Sequence, residues 1–313
     1  MLAPYHAWPK AELHVHLQGS VDPGTLRELA PEITASEVAR LYAFESFGDF
    51  LAAFAVIMDH LRSPEDYALV TRRLVERLAA ENVRYAEVII SAGAILWRGQ
   101  EFGPIFDAVA EAAAASPIEV RWIFDAVRQF GPEHGMRVAE LAAERRDRGV
   151  VAYGIGGDEE RGPASWFPEV FQFARSAGLR LTAHAGETDG PQSVWAALEL
   201  GAERIGHGIR SIDDPALLRH LADHNIPLEI SITSNLATRV VPSLADHPAR
   251  RLHEAGVPLV LNTDDPGIFK TTLSREFELA ARLGFSEADL RALAENAFRY
   301  AFDAAGGAGV DGR

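Results

Sequence analysis

The chain has 313 residues, no cysteine and a net charge of −15, with 48% hydrophobic and 24% charged residues. That balance describes a folded globular chain and excludes an extensively disordered one. The acidic surplus argues against nucleic acid or an anionic membrane as partner, and the missing cysteines exclude disulfides, thiolate catalysis and thiolate metal ligands.

The N-terminal segment lacks a basic stretch followed by a long apolar one. No apolar run reaches the roughly 18 residues of a membrane span. The expectation is therefore a cytoplasmic protein. In chain order, the first predicted strand, 12–17, carries His14-Val15-His16. A long excursion follows, with Phe44, Phe47, Phe50 and Phe54 at near-helical spacing. These rings read either as an apolar lid or as the core face of an amphipathic helix. Helical periodicity over 63–82 then leads into a strand at 83–90, and further strands are expected at 119–126, 150–156, 180–185, 204–208, 227–233 and 258–262. Helix-like stretches at 133–149, 166–178 and 191–201 separate several of them. Gly149, Gly178, Gly201 and Gly256 stand where such helices should stop, just before the next strand. The runs VRYAEVII and PLVLN have the unbroken apolar content of strands covered on both faces.

Eight strands alternating with helices predict a single (β/α)8 barrel (a TIM barrel), which takes roughly 250 residues. The surplus is explained by extra helices between strands 1 and 2. The barrel is expected to span 1–305, followed by a disordered tail at 306–313.

Four segments place metal-binding or proton-moving groups at the C-terminal ends of these strands: His14-Val15-His16, His184-Ala185-Gly186-Glu187, Gly206-His207-Gly208 and Thr263-Asp264-Asp265. In a closed parallel barrel all four converge at one mouth, where function resides. His14 and His16 share a strand face, being two apart. Adjacent carboxylates at 264 and 265 repel unless a cation or a proton intervenes. With His14, His16, His184 and Asp264 as ligands, one zinc or similar divalent ion with an open position is expected. His207 could then take a proton from activated water, and Glu187 could donate one to a heteroatom of the electrophile. Strand 4 ends Gly156-Gly157-Asp158-Glu159 without a lysine to bridge two metals, which favours one ion. His220 and His224 read as a solvated helix face, His247 as part of a turn, and His6, His60, His134 and His253 carry no functional signal.

PKAELHVHLQGS, RYAEV, GGDE, HAGE, RIGHG, TSN and LNTDDP occur in this order over nearly the whole chain. The pattern resembles the adenosine deaminase family of metal-dependent amidohydrolases. The resemblance implies a metal-activated water attacking C6 of a 6-aminopurine, with ammonia leaving. It implies zinc on His14, His16, His184 and Asp264, proton transfer from Glu187 to ring N1, His207 at the attacking water, and Asp265 between water and ring N7. The Gly157 N–H would face ring N3, with His16 and Gln18 also on the substrate side. Two departures stand out: Gln18 replaces the acid usual after HVHL, and EISITSN lacks the Cys-Pro pair frequent before Ser-Asn. An amide both donates and accepts, so the group beyond the six-membered ring is expected to differ from plain ribose. Adenosine or 2′-deoxyadenosine, a 5′-altered derivative such as aminodeoxyfutalosine, and free adenine are the candidate small-molecule substrates. The alternatives are an amidohydrolase acting on another C–N or ester bond, and a non-catalytic relative.

Overall fold

The computed structural model describes residues 4–302, so the ends of the expected 1–305 span and the 306–313 tail lie outside the described residues. Eight strands form the frame: β1 (Lys10–His16), β2 (Val83–Ile90), β3 (Glu119–Val127), β4 (Val150–Gly156), β5 (Arg180–Ala185), β6 (Arg204–His207), β7 (Leu228–Ile230) and β8 (Leu259–Leu261). All neighbours pair in parallel, in the order β1 to β8. Helices connect them on the outside, giving the (β/α)8 barrel that the alternation predicts. Gly149, Gly178, Gly201 and Gly256 all adopt the left-handed conformation expected of helix stops.

The ring closes between β8 and β1 without a regular ladder. Asp264 N donates to His14 O at 3.0 Å, and His16 N donates to Asp264 O at 2.7 Å. Just below, the Asn262 side-chain oxygen accepts from Leu13 N at 2.8 Å and His14 N at 3.1 Å.

The seventh strand is shorter than the expected 227–233. It ends at Ile230, and Ile232–Ala237 is a helix. The Ile-Ser-Ile-Thr alternation imitates a strand, but the Thr233 backbone N–H and hydroxyl both bond Glu276, which fixes the start of the helix. The excursion after β1 forms four helices, among them Phe47–Met58 across the mouth and Pro64–Ala80. The latter begins with a reciprocal Ser63–Asp66 cap and Pro64 in its first turn. Among the described residues no helix is long and apolar enough to cross a membrane.

Candidate active site

The C-terminal ends of β1, β5, β6 and β8 bring all four predicted segments together. His16 Nε2 lies 3.2 Å from His184 Nε2, and Asp264 Oδ1 lies 3.3 Å from both His14 Nε2 and His16 Nε2. Ligands about 2.0–2.1 Å from a tetrahedral ion stand about 3.3–3.4 Å apart, and these three spacings match edges of such a tetrahedron. His14 Nε2 is buried without a hydrogen-bond partner, as a ligand atom would be. Three imidazoles and a carboxylate without thiolate suit a borderline divalent ion such as zinc.

The local chain conformation serves this convergence. Asp264 and His207 hold φ of +63° and +61°, strained for non-glycine residues, which turns their side chains off the strand ends. Gly206 leaves room for the His14 ring, because a Cβ there would stand 2.8 Å from His14 Cε1.

Beneath the cluster lies a buried charge relay. His14 Nδ1–H donates to Glu229 Oε2 at 2.6 Å, which aims Nε2 at the other donors. Arg204 donates to Glu229 at 2.6 Å, to Glu87 at 2.5 Å and to Tyr300 O at 2.9 Å, and its guanidinium lies 3.6 Å from the Phe302 ring centre. Burial disfavours charge on His14, yet Asp264 and Glu229 outweigh it and lift the imidazole to about 10. Burial likewise pushes Asp264 up, but the His14 and His16 rings 3.3 Å away hold it well below the carboxylate range. The cluster is built around positive charge.

Glu187 and Asp265 go the other way. Burial, reinforced by the charges of Asp264 and Glu159, pushes Glu187 well above the usual range. Burial and the neighbouring Asp264 do the same to Asp265. The site therefore keeps neutral acids beside an ionised carboxylate, the arrangement that acid–base chemistry near neutral pH needs. His207 Nε2 faces them, 3.6 Å from Glu187 Oε2 and 3.8 Å from Asp264 Oδ2. Burial lowers its proton affinity to about 4, so the ring is neutral.

Several supporting residues escaped the sequence reading. Glu159, in the GGDE segment, accepts from the backbone N–H groups of Gly186 (2.8 Å), Glu187 (2.9 Å) and Thr188 (2.9 Å) and from Ser193 Oγ, latching the loop that carries Glu187. Burial pushes Glu159 up, but Arg128 and these donors hold it below the usual range. His247, read as a turn residue, is 3% exposed. It reaches Asn235 Oδ1 at 3.2 Å, and Asn235 Nδ2 reaches His207 Nδ1 at 3.2 Å. A histidine beside Asp-Pro and an asparagine after Thr-Ser carry no local sign of such a contact.

A cavity open at its mouth sits over this floor. His16, His184, Glu187, His207, Asp264 and Asp265 line the floor, while Phe47, Phe50, Leu51, Phe54 and Met58 make one wall. Three of the four excursion phenylalanines thus face the cavity. Phe44 packs behind them on Phe50 and Phe269, with ring centres 5.9 and 5.7 Å apart. Gly157, Gln129 and Asp125 also line the cavity, the last of which no motif had marked. Gln18 is not part of the lining. It is fully buried in a short 3-10 turn, and its Oε1 accepts from Ser91 N at 3.2 Å. Ser91 faces the cavity at that wall instead. His220 and His224 stack on each other with ring centres 4.1 Å apart, away from this cluster.

Known proteins fit this picture. Residues 9–307 match the adenosine deaminase family. The aminodeoxyfutalosine deaminase of Streptomyces avermitilis is 42% identical, the alignment covering 96% of this chain and 89% of that protein. The crystal structure of adenine deaminase from Arthrobacter aurescens superposes with a TM-score of 0.89 at 30% identity, covering 96% of this chain and 95% of that one. An amidohydrolase from Burkholderia ambifaria, solved with bound zinc, superposes with a TM-score of 0.89 at 28% identity, covering 96% of this chain and 87% of that one. By sequence and fold together, the chain belongs to the adenosine deaminase family and is a hydrolytic deaminase.

Proposed function

We propose that the protein deaminates a 6-aminopurine nucleoside, with one zinc ion held by His14, His16, His184 and Asp264. The preferred substrate is an adenosine derivative with an aromatic group beyond the sugar, of the aminodeoxyfutalosine type. The observation that carries this reading is the two-sided cavity. Its floor combines a cation cluster with neutral acids, and Phe47, Phe50 and Phe54 line the same cavity as a surface for a group beyond the base. The 42% identity to an aminodeoxyfutalosine deaminase supports the same substrate class.

A zinc ion bound there supplies Lewis acidity and lowers the pKa of water from about 15.7 to near 7. Glu187, protonated in its buried setting, gives its proton to ring N1, which breaks the aromaticity of the ring and makes C6 electrophilic. Asp265 and His207 face the attacking water, Asp265 also accepts from or donates to the N7 edge, and the Gly157 N–H meets N3. His16 borders the base as well as the metal. The oxygen of water bonds to C6, and the C6–N bond breaks. One water proton leaves with the amine as ammonia, and the other returns to Glu187, so the products are the 6-oxopurine and ammonia.

A spectrophotometric screen of adenosine, 2′-deoxyadenosine, aminodeoxyfutalosine and adenine tests the reading. Turnover is expected to be fastest on aminodeoxyfutalosine. A zinc-replete protein that deaminated none of them would overturn it. Glu187→Gln is expected to lower kcat at least about a hundredfold with zinc retained. Activity within about tenfold of native would remove Glu187 from its role.

A further inference from the structure

His247 has no step in the reaction above, yet it is buried against the group that supports His207. Ala249 N–H points at His247 Nδ1 from 3.2 Å, so that nitrogen accepts. Neutral His247 then carries its proton on Nε2, and this N–H meets Asn235 Oδ1 at 3.2 Å. With its oxygen engaged, Asn235 turns its amide N–H groups to His207 Nδ1, 3.2 Å away. That nitrogen also accepts. Neutral His207 is left with its hydrogen on Nε2, the atom that faces Glu187 and Asp264. Asparagine orientation and histidine tautomer are usually free choices, but here a backbone N–H, whose role cannot change, determines all three.

We propose that Asn235 and His247 are positioning residues that lock His207 as an Nε2–H donor. His207 thereby stabilises the oxygen being added to C6 and does not deprotonate the attacking water. The proton released by water leaves with the amine, as in the reaction above, without resting on the imidazole. The functional half of this proposal rests on the deaminase reading. The tautomer half does not.

The test is long-range 1H–15N correlation NMR on zinc-loaded protein labelled at its 11 histidines, with the His207 signals identified through His207→Asn. The expected pattern is a bare Nδ1 and a protonated Nε2 on both His207 and His247. Asn235→Asp offers only acceptors, so His207 should move its proton to Nδ1, and kcat should fall about a hundredfold with KM within about threefold and zinc retained. His247→Ala frees Asn235 to turn and should also lower kcat. His247→Gln, whose amide N–H can meet Asn235 Oδ1, should recover most of the loss. A native His207 protonated on Nδ1 overturns the lock. Native-like kcat in Asn235→Asp despite a shifted proton overturns the donor role, as does His247→Gln being no better than His247→Ala. The tautomer is read without substrate, so failure of the deaminase reading and failure of the lock remain separate results.

Discussion

Asp125 lines the cavity with no hydrogen bond or ion pair among the described residues, although it is only 4% exposed. Burial raises its carboxyl from 3.8 to about 7, with Arg128 and His14 opposing. A carboxyl raised on folding contributes stability that is fully present below its unfolded pKa and lost as pH rises through the folded one. The native protein should therefore lose stability relative to Asp125→Asn between about pH 4 and pH 7, with the gap constant above that window. Thermal melts across pH check this, and a gap that does not change with pH would refute it. Residue-scale legibility follows from chemistry. His14, His16, His184 and Asp264 stood out because imidazoles and adjacent acids at strand ends have few structural uses. Asp125 sits mid-run in Ile-Phe-Asp-Ala-Val, and Asn235 in a short helix, where nothing nearby in sequence betrays a partner.

At the scale of elements, the loop carrying Glu187 is held by a residue of the loop after β4 and not by its own residues. Glu159 binds three successive backbone N–H groups there and faces buried Arg128. Glu159→Ala leaves these donors and the guanidinium without their carboxylate, so a loss of about 3–5 kcal/mol is expected in chemical denaturation. A loss below about 1 kcal/mol would show that the latch does not hold the loop. The GGDE segment was visible in sequence, but its contact lies 27 to 29 residues further on, beyond local pattern. The strands were legible for the opposite reason, since burial on both faces writes itself into each run. β2, β4 and β5 fall where the runs predict them. β7 does not, because Glu276 on a distant helix, and not the Ile-Ser-Ile-Thr alternation, decides what residues 231–233 become.

Across the whole molecule, the floor of the barrel and its mouth are one electrostatic unit. Tyr300 and Phe302 cover Arg204, which holds Glu229, which orients His14. Arg204→Met is expected to weaken zinc binding about 10–100-fold, measured by competition with a chromogenic chelator. Unchanged affinity would mean that Glu229 orients His14 unaided. The sequence held each of these residues in plain view, yet 96 positions separate Arg204 from Tyr300, and only the closed ring makes them neighbours.

The seam between β8 and β1 gives the chain an assembly order. Two of the proposed ligands belong to the first strand and one to the turn after the last, and the same turn supplies the bonds that shut the ring. During synthesis the amino-terminal histidines must wait for residue 264 to emerge, so metal capture is a finishing event and not a nucleus. On the proposed ligand set, an ion would clasp β1 to the turn after β8. Chelation should then loosen the protein first at this clasp, with amides near 14–16 and 262–264 exchanging hydrogen ahead of those in β3 and β4.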